Sequence, residues 1–165
     1  MEQQRAIAAV ITVSDRSARG ERADASGPRA AELLQRAGYP ASVVVVPDGA
    51  DNVGAAIGEA LNDGARIVIT TGGTGVAPRD ETPEGTLPHI VRELPGIAEE
   101  LRRRGAESVP TAVLSRGLAG VARGSAGEAL VVNLPGSTAA VEQGIAVIAP
   151  LVGHILQQLE GGDHA

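Results

Sequence analysis

The stretch Ile67-Val68-Ile69-Thr70-Thr71-Gly72-Gly73-Thr74-Gly75 takes a short apolar run directly into a glycine-rich segment. Its first four residues are β-branched, which is typical of a buried strand. The glycines let the backbone approach a ligand closely and turn several N–H groups towards one point. This stretch therefore predicts an α/β fold with an anion-binding turn at one edge of the sheet.

Short β-branched runs alternate with longer helical patterns along the rest of the chain. Strands are predicted at residues 8–13, 43–46, 67–70 and 130–132, and helices at 26–38, 51–64, 83–92, 94–104 and 137–159. The strands at 8–13 and 43–46 are expected to be buried. Ser26, Asp51 and Ser137 are predicted helix caps, and Pro150 is expected to kink the last helix. Residues 105–128 show no clear pattern.

The alternation of strands and helices predicts right-handed βαβ crossovers and a mostly parallel sheet covered on both faces. At 165 residues the chain fits a single domain, residues 1–165, with its core at about residues 6–160. Apolar residues make up 43% of the chain, with no Phe or Trp, so the core must be aliphatic.

The charge balance limits the class of ligand. A net charge of −6 and a single Tyr argue against a nucleic-acid partner, which needs a basic surface and stacking rings. All 14 cationic side chains are Arg, and without Cys there is neither a disulfide nor a thiolate metal site. The start of the chain, residues 1–5, precedes no signal-type apolar core, and no apolar run approaches the ~20 residues of a membrane span. Cytoplasmic residence without membrane contact is expected.

Polar or glycine-rich residues follow each predicted strand. In open α/β sheets the ligand lies beyond the carboxyl ends of the strands, so these loops are expected to form one site. They are Ser14-Asp15, Pro47-Asp48, residues 71–75 and residues 133–137.

The glycine-rich segment does not fit the common nucleotide motifs. Val76-Ala77-Pro78 stands where a Walker loop needs Gly-Lys-Ser/Thr, and the third glycine of a dinucleotide fingerprint is missing. The alternative is an ordinary tight turn after a strand.

Two aspartates on separate loops are expected to meet at the same edge of the sheet as this segment. Asp80 lies just past it, and Asp48 ends what is expected to be the neighbouring strand. Carboxylate oxygens at such a place suit Mg²⁺ bound to substrate phosphates, where the metal neutralises charge at a transferring phosphoryl group. Alternatively, Asp48 hydrogen-bonds its own Pro-Asp-Gly turn and Asp80 caps the helix that opens at Thr82-Pro83.

Other polar residues give weaker evidence of a binding role. Ser115-Arg116 offers a hydroxyl and a guanidinium to a phosphate or a ring edge, or is only surface. Residues 133–137 combine a turn with a helix start, where a nucleotide can rest, although a plain turn explains them equally well. His89, His154 and His164 have no spaced partner for a metal site. Residues 102–104, all Arg, are expected to be a solvated helix end.

Taken in order, these motifs resemble the Mog/MoaB family over nearly the whole chain. The Gly-Gly-Thr-Gly to Thr-Pro-Glu block is the most specific part, and the others corroborate it by order and spacing. The matching segments are Val13-Ser14-Asp15, Pro47-Asp48, Thr71-Gly72-Gly73-Thr74-Gly75, Pro78-Arg79-Asp80-Glu81-Thr82-Pro83-Glu84, Leu94-Pro95-Gly96, Leu114-Ser115-Arg116 and Asn133-Leu134-Pro135-Gly136-Ser137.

The resemblance implies a three-layer α/β/α domain, usually trimeric, that transfers AMP from MgATP to the phosphate of molybdopterin and releases pyrophosphate. A separate protein or domain then inserts the metal. By motif, Asp48 and Asp80 would be the catalytic carboxylates linked to Mg²⁺. The substrate pocket would contain Ser14, Asp15, Thr71, Gly72, Gly73, Thr74, Gly75, Arg79, Ser115 and Arg116, and the nucleotide would lie near Asn133, Pro135, Gly136 and Ser137.

The sequence departs from the family pattern at two places. Members often have Pro and then Lys after Pro-Gly-Ser, where this chain has Thr138-Ala139, so a lysine contact is absent there. Gly85 stands where Ala is frequent, which changes little chemically. The alternative function is a non-catalytic member of the same family that binds the pterin or a partner protein.

Overall fold

A computed structural model describes residues 6–162, so the start of the chain and His164 lie outside the described residues. Six strands form one mixed sheet in the order β2-β1-β3-β6-β5-β4. The strands are β1 (Ala8–Val13), β2 (Ala41–Val46), β3 (Ile67–Thr71), β4 (Ile90–Glu93), β5 (Ala119–Gly124) and β6 (Gly127–Leu134). β2, β1, β3 and β6 run parallel, whereas β5 is antiparallel to both β6 and β4.

Helices cover both faces of this sheet. They are α1 (Asp15–Ala18), α2 (Ser26–Arg36), α3 (Ala50–Asn62), α4 (Thr82–Thr86), α5 (Pro95–Ser108) and α6 (Thr138–Leu159), with 3₁₀ turns at Leu87–His89 and Pro110–Leu114. Successive strand residues point to opposite faces, and they enter two separate aliphatic clusters. One cluster packs against α2, α5 and α6, and the other against α3. The predicted three-layer α/β/α fold is confirmed.

The inner strands β1, β3, β6 and β5 form the buried part of the sheet. Val10, Ile11, Val68 and Val131 have no exposed surface, as expected for strands covered on both sides. α6 is long and apolar enough, by length and composition alone, to cross a membrane. Its Val141, Ile145 and other apolar residues are nevertheless buried against the sheet, as in the core helix of a globular domain.

The prediction that residues 43–46 form a buried strand is wrong about burial. β2 lies at the edge of the sheet, where Val43 and Val44 are 38% and 49% exposed. An edge strand has a neighbour on one side only, and strand order depends on long-range contacts that a local apolar run does not reveal.

One predicted helix is not observed, and one segment without a prediction contains regular structure. The predicted helix at residues 83–92 is replaced by the short α4, a 3₁₀ turn and the edge strand β4. The segment left unassigned, 105–128, contains the end of α5, a 3₁₀ turn, β5 and the start of β6. α6 continues through Pro150 without ending.

Helix capping was predicted correctly at one position of three. Ser137 Oγ accepts a hydrogen bond from Ala140 N, as predicted, at 3.1 Å. Ser26 and Asp51 do not cap their helices. At α2 the carboxylate of Asp24 accepts from Gly27 N, and at α3 the carboxylate of Glu81 accepts from Ala50 N.

Candidate active site at the carboxyl ends of the parallel strands

The chain leaves β3 through two glycines with positive φ. Gly72 has φ 100° and Gly73 has φ 69°, a region that L side chains rarely adopt. A Cβ added to Gly72 would lie 2.4 Å from the carbonyl oxygen of Val13, and one on Gly73 would lie 2.3 Å from Thr82 Oγ1. Only glycine can therefore form this turn without moving its neighbours.

The carbonyl oxygens of the loop Gly72–Gly75 are all bound within the protein. Thr82 donates to the first two, from its hydroxyl at 2.8 Å and its main-chain N–H at 3.0 Å. Arg116 donates to the last two, from its main-chain N–H at 2.8 Å and from Nε at 2.9 Å. All four carbonyl oxygens of the loop are thus held by Thr82 and Arg116, and the loop begins with a hydrogen bond from Gly72 N to Leu134 O at 2.9 Å.

The main-chain N–H groups that follow Gly72 lack such partners in the described part of the chain. Within residues 6–162, no acceptor is found for the N–H groups of residues 73–76. Successive main-chain N–H groups in a turn can form a concave surface that binds anions. This main-chain cradle, defined by the N–H groups of residues 73–76, needs no lysine to bind phosphate.

Asp48 is held in place by Asp15. Asp15 N donates to Asp48 Oδ2 at 2.9 Å, and Asp48 N donates to Asp15 Oδ1 at 3.1 Å. The alternative in which Asp48 only bonds its own turn is therefore wrong. The second oxygen, Asp48 Oδ1, lies 3.4 Å from the position a Cβ on Gly73 would take, so this carboxylate is beside the cradle.

The sequence suggested that Asp48 ends the strand next to β3, and this is wrong. β2 is separated from β3 by β1, since the sheet order is β2-β1-β3. The reciprocal hydrogen bonds with Asp15, which follows β1, connect Asp48 to the central loops across that distance.

Arg79 closes the same cluster from the segment after the cradle. Its Nε and Nη2 donate to the Asp15 carboxylate at 2.6 and 3.0 Å, and Nη2 also donates to Asp48 O at 3.1 Å. These hydrogen bonds from Arg79 hold the pKa of Asp15 below its ordinary value, against a smaller opposing effect of burial. Asp15 is therefore an ionised partner of Arg79 and an acceptor for Asp48.

Asp80 lies beside Gly75, near the end of the cradle. Its Oδ2 accepts from Ala77 N at 3.1 Å and is 2.8 Å from the position of a Cβ on Gly75. The helix that begins at Thr82 has no side-chain cap, so the capping alternative for Asp80 is wrong. Asp48 and Asp80 thus flank the cradle from two loops.

The donor set at the cradle can be tested against Mg²⁺. Within the described residues no group of three or more His, Asp or Glu side chains forms a complete metal cage. Mg²⁺ bound with a nucleotide commonly uses only one or two carboxylates and takes its other ligands from phosphates and water. The oxygens of Asp48 and Asp80 fit that kind of shared site.

Two clefts meet beside the cradle, each of about 440 Å³, within the range of small-molecule sites. The main cleft lies between the cradle and α5, α6 and the 3₁₀ turn, with an apolar wall that includes Leu101, Leu114 and Val147. The second cleft lies between the ends of β1 and β3 and the start of α2. Gly136 and Ser137 line both clefts and lie at the boundary where the clefts meet.

Most of the predicted site residues line at least one of these two clefts. The main cleft is lined by Gly72, Gly73, Thr74, Gly75, Asp80, Ser115, Asn133, Pro135, Gly136 and Ser137. The second cleft is lined by Ser14 and Thr71, again with Gly136 and Ser137. Asp15, Asp48, Arg79 and Arg116 are not among the lining residues of either.

Some of these side chains are engaged by the protein itself. Ser14 Oγ caps α1, and Thr71 Oγ1 donates to Pro135 O at 2.9 Å. Asn133 is buried, and its amide bonds to three protein groups. Arg116 is no loose surface arginine, because it donates to Gly75 O, to Asp80 O and to Glu84.

Three residues outside the predicted site also shape it. Thr82 holds the cradle, and Glu84 pairs with Arg116. Both lie in the Thr-Pro-Glu block, so that motif could have indicated their role in the site. Arg102 was expected at a solvated helix end, but α5 extends to Ser108 and Arg102 Nη1 donates to Ser115 O and Gly117 O, both at 3.2 Å. No local pattern indicates that contact.

The fold and this site define an α/β domain with two carboxylates beside a loop whose main-chain N–H groups at residues 73–76 have no acceptor among the described residues. Comparison with known proteins narrows that class. A family model described as "Probable molybdopterin binding domain" matches residues 9–154. A molybdopterin adenylyltransferase from Pyrococcus furiosus is 44% identical over 149 residues, which are 90% of this chain and 88% of that protein.

Solved structures agree with the sequence comparison. A molybdopterin biosynthesis protein from Mycobacterium abscessus superposes with a TM-score of 0.86 and 45% identity, covering 94% of this chain and 97% of that one. A tungsten cofactor synthesizing protein, MoaB, from Pyrococcus furiosus gives 0.87 and 40%, covering 94% and 98%. The chain therefore belongs to the molybdopterin-binding family of molybdenum cofactor biosynthesis proteins, and the Mog/MoaB resemblance is confirmed.

Proposed function

We propose that this protein transfers AMP from MgATP to the terminal phosphate of molybdopterin and releases pyrophosphate. The observation that carries the proposal is the main-chain cradle with Asp48 and Asp80 on either side. Further support comes from the adenylyltransferase name of the relative from Pyrococcus furiosus.

The reaction is a displacement at the α-phosphorus of ATP. An oxygen of the molybdopterin phosphate forms a bond to this phosphorus, and the bond to the oxygen that bridges to the β-phosphate breaks. The electron pair of that bond leaves with pyrophosphate. The nucleophile belongs to the substrate, so the protein contributes positioning and electrostatic stabilisation instead of a nucleophile of its own.

The residues around the cradle have separate tasks in this proposal. The N–H groups of residues 73–76 bind phosphate oxygens, and the two clefts that meet at Gly136 bring the two substrates to one place. Asp48 and Asp80 would hold Mg²⁺ together with the ATP phosphates, where the metal neutralises the charge that develops during transfer. Asp15 and Arg79 keep Asp48 in position.

The test is pyrophosphate release from MgATP in the presence of molybdopterin. Wild type is compared with Asp48→Asn and Asp80→Asn, which remove the charge but keep an acceptor for Asp15 N and for Ala77 N. We expect each to lose at least about a hundredfold in rate, as for other removals of transition-state charge stabilisation. Asp51→Asn is the matched control, since Asp51 is exposed in the first turn of α3.

Two outcomes would contradict the proposal. Wild type that releases no pyrophosphate leaves only the non-catalytic, pterin-binding alternative. Wild type that is active together with fully active Asp48→Asn and Asp80→Asn leaves the reaction but removes the role given to the two carboxylates.

The resemblance also supplies the biological setting of the proposal. The protein is proposed to be a cytoplasmic homotrimer that passes adenylylated molybdopterin to a separate metal-insertion protein or domain.

A further inference from the structure

The guanidinium of Arg116 is bound to groups of the protein itself. Nε donates to Gly75 O at 2.9 Å and Nη2 to Asp80 O at 2.6 Å. Nη1 donates to the Glu84 carboxylate, and Nη2 lies 3.4 Å from its second oxygen. All three nitrogens of the guanidinium thus have protein acceptors.

These contacts determine which way the loop N–H groups point. A trans peptide is planar, with its carbonyl oxygen and the next residue's N–H on opposite sides. Arg116 binds the carbonyl oxygen of Thr74 through its main-chain N–H and that of Gly75 through Nε, and therefore turns the N–H groups of Gly75 and Val76 the other way. Thr82 does the same for the preceding half of the cradle.

Glu84 completes this arrangement from α4. Its carboxylate neutralises the guanidinium and holds it against the loop, and Arg116 in turn keeps the pKa of Glu84 below its ordinary value. An arginine that bound phosphate directly would need its charge and at least one edge free for the ligand.

We propose that Arg116, held by Glu84, is a positioning residue that orients the N–H groups of Gly75 and Val76 towards a bound phosphate and does not contact it. This inference rests on the proposed function only for the identity of the ligand as a phosphate. The family resemblance implies that Arg116 contacts the substrate, and this proposal assigns it a positioning role instead. Glu84 then has a role in the site as well, because it holds Arg116.

The two possible roles of Arg116 predict opposite changes in phosphate affinity when the charge of Glu84 is removed. If Arg116 contacts phosphate, removing the Glu84 charge frees the guanidinium for the ligand, and affinity rises. If Arg116 only positions the loop, the same change loosens the guanidinium from the loop, and affinity falls.

The experiment is calorimetric titration of wild type, Glu84→Gln and Arg116→Lys with inorganic pyrophosphate in the presence of Mg²⁺. We expect both variants to bind at least about tenfold more weakly, because a lysine carries the charge but not the planar fork of donors. Glu128→Gln is the matched control, since Glu128 also pairs through two oxygens with one arginine, Arg92, on the edge of the sheet. Its affinity should stay within about twofold of wild type.

Thermal unfolding of the same proteins separates positioning from general damage. Glu84→Gln and Glu128→Gln should unfold at similar temperatures, while only the first loses affinity. Equal or tighter binding by Glu84→Gln, or full affinity in Arg116→Lys, would overturn the positioning role. Wild type that fails to bind pyrophosphate would overturn it as well. Binding of pyrophosphate without its release from ATP would instead contradict the proposed reaction alone.

Discussion

Asn133 joins three parts of the molecule through one buried amide. Its Nδ2 donates to Thr70 Oγ1 at 2.9 Å and to Thr86 Oγ1 at 3.0 Å, while Oδ1 accepts from Leu118 N at 3.0 Å. A buried polar group that loses its partner costs free energy, so each of these groups depends on the amide. Asn133 therefore fixes β3, α4 and the start of β5 relative to β6.

Replacing this amide should destabilise the fold at the site. We expect Asn133→Ala to lower the free energy of unfolding by about 3 kcal/mol, because it leaves buried donors and acceptors unpaired. The measurement is urea unfolding, with Asn62→Ala at the exposed end of α3 as control. A loss below about 1 kcal/mol would mean that water or a shifted neighbour satisfies these groups.

At this scale the sequence identified residues better than it identified their contacts. Asp48, Asp80 and the glycines were recognised by their places after strands, and the structure brings them together. The bond from Glu81 to Ala50 N and the bonds of Arg116 join residues more than thirty positions apart. Such contacts follow from the packed fold and leave no local pattern in the sequence.

Glu100 is the main ionic group on the surface of α5. It accepts from Arg103 Nε at 2.8 Å and from Arg104 Nε at 2.7 Å, on the next helical turn. These hydrogen bonds, Arg103 first, lower the pKa of Glu100 to about 2. A carboxylate with a lowered pKa in the folded state stabilises it above the unfolded pKa and loses that effect as pH falls.

The stabilisation by Glu100 should therefore depend on pH in one direction. The difference in Tm between wild type and Glu100→Gln should be constant above about pH 5 and shrink as pH falls from about 4.3, the ordinary pKa of Glu, towards about 2. Calorimetric melting across this range is the measurement. Glu99→Gln, at the exposed neighbouring position, is the matched control. A difference that grows with acidity would contradict the assignment.

Helices and strands with a strong apolar periodicity were predictable from the sequence. Strands that form only by pairing with another strand were not. β1, β3, α2, α3 and α6 match apolar patterns that their own residues carry. β4 consists of only four residues, Ile90–Glu93, and becomes a strand by pairing with β5. The hairpin of β5 and β6 likewise depends on pairing, and its glycine-rich first strand has little apolar signal.

At the scale of the whole molecule, strand order determines which surfaces remain open. β2 and β4 are the two edges, and β2 carries the half-exposed Val43 and Val44. Local patterns predicted the parallel core and the edge where the loops meet, because both follow from alternating elements. The order of the strands depends on long-range packing between all layers, so local sequence patterns do not predict it.

The proposed homotrimer is tested at this scale. Light scattering coupled to gel filtration should give three times the 16.6 kDa mass of one chain. The trimer should persist at raised salt if apolar surface contributes most of the interface, since screening weakens only charge contacts. A mass of one chain across the concentration range would contradict the trimer without affecting the assignment of the site.

The cradle places phosphate recognition in the main chain, and this has a consequence for inherited variation. Each of its donors is an N–H that every amino acid except proline carries. Among missense changes at Thr74 or Val76, only those to proline delete a donor outright. Loss-of-function alleles are therefore expected to concentrate at residues that set the shape of the loop, such as Gly72, Thr82 and Arg116, and not at the donors themselves.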